Sequence, residues 1–171
     1  MIYTTHYLSP LGDLLLASRD HALIGLWIEG QKHYLGQLKD DLKDNDDLEI
    51  FHQTKDWLNR YFCGESPSPY ELKLAPIGSD FRQRVWELLC EIPYGHTITY
   101  KDIAMMIAKE RGIPKMSAQA VGGAVGHNPI SIIIPCHRVV GSSGSLTGYA
   151  GGIDKKVKLL KHENVDMSQL K

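Results

Sequence analysis

The chain is poor in cysteine, in net charge and in long apolar runs, and each shortage closes a class of function. Only three of its 171 residues are cysteines, Cys63, Cys90 and Cys136. An odd count at wide spacing builds no disulfide framework, and the absence of a C-x-x-C pair removes the commonest zinc signature. Free thiols suit a reducing, cytoplasmic setting. The start, Met1-Ile2-Tyr3-Thr4-Thr5-His6, has no basic stretch leading into an apolar core, so no secretory signal is expected. No apolar run approaches the roughly 20 residues that cross a bilayer, so no membrane role is expected. A net charge of −1 is no polyanion-binding signature in itself. Its distribution is uneven: the first 79 residues hold 7 basic and 12 acidic side chains, the remainder 12 and 8. Much of the acidity sits in Asp40-Asp41 and from Asp44 to Glu49, which reads as a solvated loop and helix start. The basic half is where a polyanion would dock.

The pattern that is present implies an α/β chain in two parts, residues 1–77 and 78–171. Residues 2–8, 12–18 and 22–28 read as short strands, with turn chemistry in Ser9-Pro10-Leu11-Gly12 and Arg19-Asp20-His21. Phe51, Thr54, Leu58, Tyr61 and Phe62 recur at helical spacing and predict a helix from Asp47 to Cys63, stopped by Gly64. A Pro/Ser loop follows, with Leu72-Lys73-Leu74 as a candidate last strand and Pro76-Ile77-Gly78-Ser79 as the boundary. The second part is mostly helical. Phe81, Val85, Leu88, Leu89 and Ile92 make one stripe of a helix from Asp80 to Ile92. Thr99 with Asp102 three residues on is a capping pair for a helix reaching about Lys109, and Ser117 caps another over residues 118–126.

Two short helices joined tightly suggest a helix-turn-helix. The second is almost all Ala, Gly and Val, so it lacks the Arg, Asn or Gln array that reads major-groove base edges. Such a surface packs closely on another helix, or enters a minor groove where contact is through backbone and shape.

Pro135-Cys136-His137-Arg138 follows the apolar run Ser131-Ile132-Ile133-Ile134, read as an extended segment. A cysteine beside a histidine on rigid support suggests an activated sulfur nucleophile, because the thiolate attacks carbon far better than the thiol. At an ordinary cysteine pKa near 8.5 only about 3% is thiolate at pH 7, so full ionisation offers roughly 30-fold in rate. The same pair also fits a core cysteine next to an unrelated histidine.

From about Phe81 to Glu163 the ordered set Ala120-Val121-Gly122-Gly123-Ala124, Asn128-Pro129, Ile134 to Val140, Ser142-Ser143-Gly144, Gly148 to Gly152 and Leu159 to Glu163 resembles the O6-alkylguanine-DNA alkyltransferases. The resemblance implies a small ribonuclease H-like α/β domain before a helical DNA-binding domain. It implies single-turnover transfer of an alkyl group, chiefly methyl, from O6 of guanine to Cys136, with O4 of thymine a second candidate atom. His137 and Glu163 would draw the thiol proton away through a water. Asn128 would tie the DNA-contacting helix to the catalytic segment. Tyr100 would serve a guanine ring nitrogen, and the Ala150 N–H the exocyclic oxygen. The carbonyls of Cys136 and Val139 would accept from the exocyclic amine. Tyr149 and Ser131 would line the alkyl pocket, and Val125 and Gly151 complete the substrate-facing set. Ala118, Gln119, Ala120, Gly122 and Gly123, with Tyr100 and Arg138, would face DNA, and Lys101, Lys109, Arg111 and Lys115 are candidate phosphate contacts. Gln119 departs from the arginine expected to fill the vacated base stack.

The product would be a thioether with no good leaving group, so the protein would act once, as a monomer on double-stranded DNA, without a cofactor. Some relatives bind zinc in the first domain. Here His6, His21, His33 and His52 are joined only by Cys63 at no recognisable spacing, and no metal is expected. Three other readings stay open: a lesion-recognition protein that binds without transfer, a Cys-His hydrolase, and a helix-turn-helix regulator.

Overall fold

Two hairpins begin the fold: β1 (Ile2–Ser9), β2 (Gly12–Arg19) and β3 (Ala22–Ile28) form an antiparallel meander. The turn between β2 and β3 holds Asp20 and His21 at φ 52° and 65°, the handedness that suits the twist of flanking strands. A short strand β4 (Leu42–Asp44) runs parallel to β1, giving the order β3-β2-β1-β4. The structure, a computed structural model, describes all residues except 36, 37, 39, 40 and 147. Asp40 of the acidic run therefore lies outside the described residues. The rest of that run keeps the exposed loop and helix start its charge implied, and adds strand pairing as far as Asp44. Thr4 Oγ1 donates to Asp44 (3.0 Å), Thr5 Oγ1 donates to Asp46 (2.6 Å), and the Asn45 N–H donates to the Thr4 carbonyl (3.0 Å). The free edge of β1 needed partners, and backbone pairing outweighed the poor strand propensity of aspartate.

Helix α1 (Glu49–Phe62) starts two residues later than its periodicity implied and buries Ile50, Phe51, Thr54, Trp57, Leu58 and Tyr61 against the sheet. The segment Leu72-Lys73-Leu74 forms a single bridge rather than a strand: Leu23 N–H donates to Lys73 (2.9 Å) and Ala75 N–H to Leu23 (2.8 Å).

Helix α2 (Asp80–Cys90) is capped by the Ser79 hydroxyl, which accepts from Arg82 N–H at 3.3 Å. Its Trp86 donates from Nε1 to the Ala124 carbonyl at 2.9 Å. Strand β5 (Ile98–Thr99) pairs parallel with β6 (Val139–Val140). Helix α3 (Tyr100–Arg111) opens on the reciprocal Thr99–Asp102 box, both bonds 3.0 Å, and ends at Gly112 in the left-handed region. Helix α4 (Ala118–Gly126) is capped by Ser117, whose hydroxyl accepts from Ala120 N–H at 3.1 Å. Helix α5 (Ile153–His162) closes the fold. One continuous core runs from Leu26 and Phe51 through Trp86 and Ile103 to Val121 and Ile134.

The opposite face of the sheet carries a smaller core of Ile2, Leu15, Ala17, Ile24 and Trp27. There the Trp27 ring lies flat over Gly25: a Cβ at that position would stand 2.0 Å from the ring. Gly25→Ala must displace a fully buried indole, and overpacking of this kind costs about 1–3 kcal/mol. Urea unfolding of the two proteins should show that loss; superimposable transitions would mean the ring has room to move.

Candidate active site

Residues 131–134 are not extended. Ile130 bridges to Leu26 on the outer edge of β3: Leu26 N–H donates to the Pro129 carbonyl (2.8 Å) and Ser131 N–H to the Leu26 carbonyl (3.0 Å). The chain then coils into a tight turn in which Ile133 N–H reaches the Ser131 carbonyl (2.8 Å) and Ile134 N–H the Ile130 carbonyl (3.1 Å). Ile132 stands at φ 71°, a costly place for a β-branched residue. Burial of Ile132, Ile133 and Ile134 on all sides, at 1–2% exposure, holds the turn against that strain. Asn128 supplies the internal brace. Its Nδ2 donates to the carbonyls of Ile134 (2.8 Å) and Ile130 (3.3 Å), and its Oδ1 accepts from Ile130 N–H (3.0 Å). An uninterrupted apolar run reads as strand because its periodicity cannot report a turn buried on every side.

The turn delivers Cys136, His137 and Arg138 as one 3-10 turn, all buried. His137 Nε2 lies 2.6 Å from Glu163 Oε2. A carboxylate accepts only, so the proton is on Nε2, and Nδ1 has no hydrogen-bond partner among the described residues. Arg138 donates to the same carboxylate from Nε (2.7 Å) and Nη2 (3.1 Å), and from Nη1 to the Ile92 carbonyl (2.7 Å). This corrects its assignment to the DNA face: the guanidinium is spent inside, where an unpaired Glu163 charge would be untenable.

Burial is the largest influence on each group here. It pushes the Glu163 carboxyl up, but the His137 and Arg138 hydrogen bonds and charges outweigh it and hold the group well below the usual carboxylate range. It lowers His137, whose neighbour Glu163 opposes this without prevailing, so the imidazole rests neutral. It raises the Cys136 thiol, which the Asn128 hydrogen bond and the Lys156 charge pull back only in part. The resting sulfur is therefore a thiol, not the thiolate that its neighbours in sequence implied. A neutral base with an open lone pair beside a neutral thiol can transfer a proton without changing the net charge of the site.

Around the sulfur, Ser131, Val139 and Tyr149 are buried, and the Ser131 side chain is the polar neighbour of the Tyr149 hydroxyl. Ala150 and Gly151 are half-buried, and the Ala150 carbonyl is fixed by Lys32 N–H (2.9 Å). Val125 is 3% exposed and packs in the core. Half-buried Tyr100 comes so near the loop that a Cβ on Gly148 would stand 2.8 Å from its hydroxyl. Burial first, then the neighbouring Cys136, pushes that phenol up to about 12, so it remains a proton donor. The Cys136 carbonyl accepts from Val139 N–H, and the Val139 carbonyl from Lys156 Nζ at 2.6 Å. Each carbonyl oxygen keeps a second lone pair.

Sequence reasoning passed over Lys156 and the Tyr61 hydroxyl. Lys156 is fully buried on the α5 stripe with Leu159 and Leu160, and a lysine at an apolar-face position was the available signal. Tyr61 donates to Glu163 Oε2 at 2.6 Å; within an aromatic stripe nothing marks one hydroxyl as special.

Above the site, α4 turns Ala118, Gln119, Ala120 and Gly123 outward, with Gly122 half-exposed and Val121, Ala124 and Val125 inward. No atom outside the helix lies within 4 Å of where a Gly123 Cβ would be, so another surface can approach closely there. Lys101, Lys109, Arg111 and Lys115 are exposed near the same helix pair, Arg111 lying 5.4 Å over the Phe81 ring.

Fold and site together define a helix-turn-helix protein built over a buried cysteine set beside a histidine–glutamate pair. Residues 2–76 match the 6-O-methylguanine DNA methyltransferase ribonuclease-like domain, and residues 80–165 match the DNA binding domain of the same name. A methylated-DNA–protein-cysteine methyltransferase of Methanosarcina barkeri is 47% identical over 156 residues, spanning 91% of this chain and 92% of the relative. One from Mycobacterium tuberculosis is 44% identical over 155 residues, 91% and 88% of the two chains. The crystal structure of M. tuberculosis OGT in complex with DNA aligns with a TM-score of 0.78 at 42% identity, covering 95% of this chain and 91% of that one. The chain belongs to the 6-O-methylguanine DNA methyltransferase family.

Burial brings the Lys156 ammonium down to about 8, against roughly 10.4 in an unfolded chain. Between those values the unfolded state binds the extra proton, so the residue's contribution to stability rises with pH from about 8 to about 10 and is least favourable below 8. The stability difference between the wild type and Lys156→Met should therefore grow in the wild type's favour across that window in urea unfolding. A difference independent of pH would show that Lys156 does not titrate there.

Proposed function

We propose that the protein repairs DNA by moving an alkyl group, chiefly methyl, from O6 of guanine onto Cys136 in a single irreversible step. The observation that carries this reading is the buried Cys136–His137–Glu163 arrangement beneath a helix whose outer face is only small residues and Gln119. An alkylated base inside a duplex cannot reach a sulfur that is 5% exposed, so the nucleotide must be extruded, which costs a few kcal/mol and less for a weakened pair. A small-residue helix lying in the minor groove fits that task, and the exposed lysines and Arg111 fit phosphate contacts.

In the transfer the thiol proton passes through a water to His137 Nδ1, and sulfur attacks the alkyl carbon in line. The S–C bond forms as the C–O bond breaks, and the electron pair leaves with guanine. Tyr100 faces the ring nitrogen that takes up the developing charge, and the Ala150 N–H faces the oxygen. The free lone pairs on the Cys136 and Val139 carbonyls favour a purine bearing an exocyclic amine. The thioether has no leaving group, so each chain acts once. A monomer suffices, since every proposed group comes from one chain. The unpaired Cys63, Cys90 and Cys136 fit a reducing, cytoplasmic compartment.

Intact-mass measurement after incubation with an O6-methylguanine duplex should show a gain of one methylene unit at Cys136, reaching a plateau at one per chain. Cys136→Ala should retain duplex binding and lose transfer. An unchanged mass, or turnover beyond one equivalent, contradicts the mechanism.

The neutral imidazole is the working base, and its folded pKa lies below the ordinary value of about 6.5. The transfer rate should therefore hold steady as pH falls through 6.5 and decline only below it. A decline centred above 6.5 in single-turnover assays would exclude His137 as that base.

A further inference from the structure

The first part of the chain reaches into the proton relay through one side chain. The last turn of helix α1 carries Tyr61, whose hydroxyl donates to Glu163 Oε2 at 2.6 Å, the same oxygen and the same distance as His137 Nε2. Arg138 Nη2 is a more distant third donor to that oxygen (3.1 Å), while Oε1 takes Arg138 Nε (2.7 Å) and Gly95 N–H (3.3 Å). Two short bonds to one oxygen share the same electron density. A donor that neutralises part of the carboxylate charge weakens the pull on its neighbour.

Tyr61 is held to this geometry from all sides. It stacks on Trp57 with centroids 5.6 Å apart and planes 8° from parallel, meets Phe62 and Tyr94 edge-on, and lies 4.9 Å from the His162 ring. Its own carbonyl pairs with His162 Nε2 at 2.7 Å. It is 1% exposed, so water does not compete for the hydroxyl. Trp57, Phe62, Tyr94 and His162 already account for the packing of the ring, and a phenylalanine would meet all of those contacts. Among the described residues the hydroxyl serves only the carboxylate.

We infer that Tyr61 is a positioning residue for the relay: by sharing Glu163 Oε2 with His137, its hydroxyl sets how strongly the carboxylate holds the imidazole, and the first domain thereby tunes the base that acts in the second. The inference rests on the methyl-transfer reading for its function, though not for its measurement. The charged and titratable groups facing the pair are Arg138 and His137 from the Pro-Cys-His-Arg turn, Lys156 from α5, whose charge also lowers His137, Tyr94 from the loop after α2, His162 from the end of α5, and Tyr61 itself from α1. A Tyr61→Phe change leaves all the others in place.

The experiment is an NMR titration of the His137 ring in the full chain without DNA, paired with single-turnover transfer across pH. It compares the wild type, Tyr61→Phe and a chain carrying 3-fluorotyrosine at position 61. Without the hydroxyl, Glu163 carries more charge and holds the imidazolium better. The His137 midpoint and the acid limb should both move up by about half a unit to one unit, which is roughly three- to tenfold slower transfer below the limb and convergence with wild type above it. The fluorinated phenol is the stronger donor and should move both the other way, and it keeps the inference testable if Tyr61→Phe fails to fold. Midpoints that coincide in the wild type and either variant overturn the inference, whatever happens to melting temperature. A wild type that gives no thioether overturns the methyl-transfer reading instead, and the His137 titration still decides the role of Tyr61.

Discussion

A carboxylate with 2% exposure is the constraint around which the site is assembled. Isolated, the Glu163 charge would cost several kcal/mol to bury. It is retained because donors from three separate segments converge on it: Tyr61 near the end of α1, Gly95 after α2, and His137 and Arg138 on the turn, while Glu163 itself sits just past α5. Removing any one donor leaves the others to bear the charge, so the arrangement specifies a single packing of those segments. The orientation of the imidazole, and with it the direction of its free Nδ1, follows from satisfying Glu163.

A second constraint acts through backbone. The outer edge of β3 is left open by the sheet, and the chain uses it twice: residues 73–75 pair at Leu23 and residues 129–131 pair at Leu26. Side chains can be replaced at such contacts, but the hydrogen bonds they frame fix where the Asn128-braced turn sits relative to the sheet. The first part of the chain is thus no mere addition to the DNA-binding part. It supplies the strand edge that anchors the turn and the tyrosine that reaches the relay, and both contacts lie within one continuous core.

Much of this was legible because it is local. The Thr99 and Ser117 caps, the three leading strands and the small-residue helix are written within a few residues of themselves, and the structure reproduces them. What was not legible depends on partners far along the chain. Arg138 looked like a DNA contact because nothing near it in sequence reveals Glu163, 25 residues on, as its partner. The four residues before Pro135 looked extended because a turn buried on every side has no polar face to betray it. Asp44 is exposed as its charge implied, but its pairing with Thr4, 40 residues earlier, has no local signal. Motif resemblance placed Cys136, His137 and Glu163 in one site, yet the protonation state of the sulfur follows from burial, which only the packed structure supplies.

That protonation state has a physical consequence for how the sulfur is used. A permanently ionised Cys136 would react with any electrophile that reached it, and an irreversible acceptor can be spent only once. Here the thiol and the imidazole both rest neutral. Forming thiolate and imidazolium would set the new positive charge beside Glu163, which favours it, and near Arg138 and Lys156, which oppose it, while Lys156 and Asn128 favour the new negative charge on sulfur. In the proposed transfer the roughly 30-fold advantage of a full thiolate would be withheld until an electrophile reaches the sulfur, where carbon–sulfur bond formation would accompany loss of the proton toward His137. Burial costs ground-state reactivity and confers selectivity, because only a group delivered into the pocket meets sulfur, base and donors together.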